Sequence, residues 1–84
     1  MRHATPATVE TIADLLAPVR ARSELRERTP GSFYRKTVGF LHFHEDPAGL
    51  FADVKGPDGW ERLQVDTVEQ REALLDRIDA LLAI

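Results

Sequence analysis

The sequence has no cysteine, which excludes disulfide staples, thiolate metal sites and cysteine nucleophiles. It has no apolar run near the length that spans a bilayer, so no membrane partner is expected. The opening Met1-Arg2-His3-Ala4-Thr5-Pro6 lacks the apolar stretch of a signal peptide, and a soluble cytoplasmic protein is the expectation. There is no internal repeat and no low-complexity segment. The only serines are Ser23 and Ser32, both in segments of doubtful structure, which leaves a serine nucleophile without a framework.

What remains is enough for one small domain. The chain has 84 residues, of which 43% are apolar. A chain this short buries roughly 60% of the surface it exposes when unfolded, so its core is thin. The net charge is −3 and unevenly placed. Residues 1–36 carry seven basic and four acidic side chains, and residues 37–84 carry four basic and ten acidic. Such asymmetry can mark a basic contact surface, though a solvated face produces it too.

Thr5-Pro6 reads as a helix start, with Thr as the cap and Pro in the first turn, where no N–H is needed. Val9, Ile12, Ala13 and Leu16 then recur at helical spacing. Pro18 disfavours helix at Ala17, so the first helix is expected over 6–17, ended or kinked there. Residues 18–32 form an arm that could hold a second short helix, an irregular stretch or a strand at 24–28. Thr29-Pro30-Gly31-Ser32 is a turn signal in each case. Strands are predicted over 33–44, 50–55 and 60–65, separated by the turn sequences Asp46-Pro47-Ala48-Gly49 and Gly56-Pro57-Asp58-Gly59. A last helix over 67–83 starts with capping-box spacing at Thr67 and Gln70, and equally at Asp66 and Glu69. Its apolar stripe is Leu74, Leu75, Ile78, Leu81 and Leu82. The expected fold class is α+β: a two-layer domain with an antiparallel three- to four-stranded meander packed on an N-terminal and a C-terminal helix.

Side chains alternate across a sheet, so the strands can be sorted by parity. Pairing Glu45 with Leu50 sets Phe43 against Ala52 and Leu41 against Val54. Pairing Lys55 with Trp60 sets Ala52 against Leu63 and Leu50 against Val65. These make the apolar face for the helices. The opposite face then carries Phe40, His42, His44, Phe51, Asp53, Lys55, Trp60, Arg62 and Gln64, with His42 across from Asp53 and Asp53 across from Arg62. This polar and aromatic surface is the one candidate site.

Four uses of it can be weighed. His42 and His44 on one strand face, with Asp53, could supply nitrogen and oxygen ligands to a metal, but no further ligand is fixed by spacing and His3 cannot be placed. The bland alternative is a pair of half-exposed histidines, with His42 hydrogen-bonded to Asp53. A His–Asp pair can also do acid–base work, yet a flat sheet face offers little shelter from water. Nucleic-acid binding draws on Phe33, Tyr34, Arg35 and Lys36 and on the basic stretch Arg20–Arg28, while the negative net charge and the acidic sheet edges near Glu45, Asp46 and Asp58 speak against it. Protein contact draws on Phe40, Phe51 and Trp60 as an exposed aromatic patch, unless the arm, through Val19 and Leu25, covers it.

The run Phe40-Leu41-His42-Phe43-His44-Glu45-Asp46-Pro47, followed by Ala52-Asp53-Val54-Lys55, resembles the core of small bacterial proteins with no assigned function. The order of helix, Ala17-Pro18-Val19, aromatic-basic strand and hairpin resembles the MmcQ/YjbR-like domains over residues 12 to 82. That resemblance implies a sheet-and-helices fold and carries no functional residue across. Members of that family are sometimes proposed to bind DNA. The expectation is therefore a non-catalytic binding or interaction module, with no cofactor, an unidentified protein partner or a second copy of itself, and an open face at His42, Asp53, Trp60 and Arg62. A metal or small-ligand site at His42, His44 and Asp53 is the alternative, as is nucleic-acid binding through the basic N-terminal part.

Overall fold

A computed structural model describes residues 1–84. The elements run β1 (Arg2–His3), α1 (Pro6–Thr11), α2 (Ala13–Arg20), β2 (Leu25–Thr29), β3 (Ser32–Arg35), β4 (Val38–Asp46), β5 (Gly49–Gly56), β6 (Gly59–Gln64) and α3 (Val68–Leu82). The sheet is antiparallel and follows chain order, β2-β3-β4-β5-β6, with β1 added to β4. This is the α+β meander with a helix layer, having six strands where three or four were expected.

The register at the centre follows the apolar parity. Leu41 pairs with Val54, Phe43 with Ala52 and Glu45 with Leu50. Ala52 pairs with Leu63 and Lys55 with Trp60, and the Val65 N–H donates to the Leu50 carbonyl. A one-residue slip would turn every one of these apolar side chains to water, which is why the pairing is specified so strongly. Leu41, Phe43, Ala52, Val54 and Val65 share one buried cluster with Val9, Ile12, Leu16 and Val19 of the N-terminal helices and Leu74, Ile78 and Leu81 of α3. All three helices therefore cover the same face.

The N-terminal half differs from expectation in three places. The helical segment is two helices, broken at Ile12 (φ −114°, ψ 25°), and α2 runs through Pro18 to Arg20. Proline inside a helix removes a hydrogen bond and crowds the preceding turn. Here the helix continues because Leu15, Leu16 and Val19 on it are all buried in the core. The arm over 18–32 is the end of α2 followed by β2, so of its three readings the strand is the one present. Its Leu25 and Val19 are buried with the helices, and neither lies over the opposite face.

The third difference is in the strand expected over 33–44. It is a hairpin, β3 and β4, turning at Lys36-Thr37 with Lys36 in the left-handed region at φ 58°. The pairing slips within it: Phe33 faces Leu41 but Tyr34 faces Gly39, which leaves Phe40 as the extra residue of a β-bulge. The bulge reverses parity on its N-terminal side. Phe40 is 4% exposed and belongs to the core cluster, so its assignment to the open face is corrected.

Candidate functional site

The face away from the helices is open. Its central strands carry His42 and His44 on β4, Phe51, Asp53 and Lys55 on β5, and Trp60 and Arg62 on β6, in the pairings His42–Asp53, His44–Phe51, Asp53–Arg62 and Lys55–Trp60. Strand alternation accounts for this set, and Phe40 alone leaves it. Four residues join it from outside the paired stretches of those three strands. Pairing of β1 with β4 sets His3 beside His44, with ring centroids 4.5 Å apart. The β3 hairpin adds Tyr34, 6.0 Å from His42. The β2 strand adds Arg26, opposite Tyr34, and Arg28, whose guanidinium carbon lies 4.8 Å from the Tyr34 ring centre.

The aromatic groups form a row. Tyr34 stands edge-on to His42, and the His42 ring lies 5.4 Å from Trp60. Below them is Gly39, which the bulge turns to this face. A Cβ at Gly39 would sit 3.1 Å from His42 Nε2, 3.7 Å from Tyr34 Cε2 and 3.8 Å from Trp60 Cη2. The three rings thus close over Gly39, whose missing side chain lets them pack onto the backbone. Cations close the row at both ends, since Lys55 Nζ lies 5.3 Å from the Trp60 ring centre. Cations over ring faces are held by the quadrupole of the ring.

Asp53 organises the other side. Arg62 donates to it through Nε at 2.7 Å and Nη2 at 2.8 Å, a fork that pulls its carboxyl below the usual range. His44 Nδ1 lies 3.2 Å from the same carboxylate, out of line for a hydrogen bond, and is left without a partner. His42 turns the other way, with Nδ1 3.4 Å from Ser32 Oγ. The expected His42–Asp53 hydrogen bond is therefore corrected: the two face each other in register, but Asp53 is engaged by Arg62 and approached by His44.

Burial is the first cause that lowers the pKa of both His42 and His44, with Asp53 opposing it. Both rings then bind fewer protons folded than unfolded, so their contribution is full above the unfolded value of about 6.5 and is lost as pH falls below it. Asp53, lowered instead, loses its contribution only as pH falls through the carboxylate range. Stability should consequently fall in an early step as pH drops below about 6.5, ahead of the carboxylate range. Urea midpoints measured through that step test this, and a His42→Gln/His44→Gln double variant should abolish it.

Metal and acid–base chemistry find little support in this arrangement. No group of three or more His, Asp or Glu side chains converges as a metal site. The surface has four clefts, and none is lined by His42, His44 or Asp53. A reacting pair needs such enclosure to exclude water.

Comparison with protein-family models, with curated proteins and with solved structures finds no match for this chain. No helix is long and apolar enough to cross a membrane.

Proposed function

We propose that the protein is a non-catalytic binding module whose ligand lies on the open face of the sheet. The observation that carries this is Trp60, a large aromatic side chain left 48% exposed on a face that no helix covers. Burying such a ring is among the larger gains available to an interface. The surroundings favour rigidity as well. His42 and Lys55 brace Trp60, and the Arg62–Asp53 fork fixes the neighbouring strand pair. A face held in place before the ligand arrives loses less freedom on binding.

The test is site-directed photo-crosslinking in the cells that make the protein. A photoreactive residue at Lys55 should yield covalent adducts, of protein or nucleic acid. The same residue at Asp76, exposed on α3, should not. Adducts from both positions alike, or from Asp76 alone, would overturn the reading, as would their absence from both.

A further inference from the structure

Resting on that reading, we infer that the ligand of the open face is single-stranded nucleic acid, its bases on the Tyr34–His42–Trp60 row and its phosphates on Arg26, Arg28 and Lys55.

The first argument is where the charge lies. The three helices carry Glu10, Asp14, Glu69, Glu72, Asp76 and Asp79 against Arg20, Arg71 and Arg77, a balance of −3. That equals the net charge of the whole chain. The negative balance that speaks against nucleic acid in the sequence therefore sits in the helix layer. On the open face two paired residues carry carboxylates: Asp53 is matched by Arg62, and Asp46, at the end of β4, by the N-terminal ammonium 3.6 Å away. Arg26, Arg28 and Lys55 are exposed and make no ion pair, so the face presents uncompensated positive charge. An anionic ligand releases counterions on meeting such a surface.

The second argument is shape. The rings step by 6.0 Å and then 5.4 Å along the row. Successive bases in a duplex strand rise by only about 3.4 Å, so the row suits bases that are unstacked and splayed. The sheet face has no protruding helix or ribbon to enter a major groove about 12 Å wide. Flat sheets that present aromatic rings between cations are a general means of holding single strands.

Other occupants fit less well. A second copy of the chain would set three uncompensated cations against three more. A quaternary ammonium ligand would use the exposed ring faces but meet the same cations. An acidic peptide would satisfy the cations and leave the rings without a use.

Fluorescein-labelled U10 and dT10 oligonucleotides, followed by anisotropy at 20 and 200 mM salt, test the inference. Both should bind, with Trp60 emission quenched. Trp60→Ala should weaken binding about 5- to 100-fold, the effect of removing one stacked base. Arg28→Ala and Lys55→Ala should each lower the slope of log affinity against log salt by about 0.7. Glu72→Gln, on α3, should change nothing. No binding at 20 mM salt overturns the inference, as does binding insensitive to Trp60, or poly-glutamate binding as tightly as U10. Protein-only adducts from position 55 together with no oligonucleotide binding would overturn it and leave the binding module standing. No adducts and no oligonucleotide binding would remove both.

Discussion

Replacing Phe40 with alanine is expected to destabilise the fold by about 3–5 kcal/mol, the usual cost of emptying a buried phenylalanine site. Phe40 is 4% exposed and packs in the same cluster as Leu41 and Leu81. A domain of this size has a total stability on the order of 5–10 kcal/mol, so the variant sits near the edge of folding. Trp60→Ala, on the open face, should cost only about 1 kcal/mol. Urea unfolding followed by far-ultraviolet circular dichroism compares the two without relying on tryptophan emission. The ordering is what matters. Strict alternation along β4 would put Phe40 and Trp60 on one surface and make both substitutions mild. The bulge separates them. Equal and small effects would refute the bulge and return Phe40 to the open face.

Gly49→Ala should cost about 1–3 kcal/mol from the backbone alone, because Gly49 sits at φ 138°, where L side chains are strained. A second penalty comes on top of it. A Cβ there would run into the Asp66 carboxylate and come within 2.9 Å of Gln64 Nε2. That carboxylate accepts from the Leu50 N–H at 3.0 Å and from Gln64 Nε2 at 2.6 Å, so it cannot withdraw without leaving both donors unpaired. Gly59 provides the comparison. It has a similar φ of 126°, but nothing lies within 4 Å of where its Cβ would be. Gly59→Ala should therefore show the backbone penalty alone. Equal losses of thermal stability in the two variants would mean that Asp66 does not lock the β4–β5 turn.

These two positions also mark how far the sequence can be read. The pairing of β4, β5 and β6 is legible because Leu41, Phe43, Ala52, Val54, Leu63 and Val65 alternate strictly and admit one register with a buried face. The turns at 46–49 and 56–59 announce themselves through proline and glycine. The hairpin at Lys36-Thr37 does not, since a lysine takes the left-handed position that glycine or asparagine usually marks. With that turn unseen, the bulge at Phe40 is unseen as well, and parity carries the residue to the wrong side. Pro18 misleads for a different reason: a local backbone preference is outweighed by the burial of Leu15, Leu16 and Val19. His3 joins the site through a pairing between residues more than forty positions apart, to which no local pattern points. Most of the candidate face is thus readable from alternation. Its charge is not, because the helices hold the acids on the far side and only the folded chain shows the segregation.

The order of the sheet bears on how the protein is made. Each strand from β3 to β6 pairs with the one synthesised just before it, so the meander can zip up as the chain leaves the ribosome, with little loop entropy to overcome at any of these steps. The helix that seals much of its greasy side is encoded after every strand. Until Leu74, Ile78 and Leu81 arrive, the nascent sheet has only α1 and α2 to cover it. The interval between β6 and the docking of α3 is when this chain is most exposed to sticking to its neighbours, and a nascent-chain chaperone would have its greatest effect there.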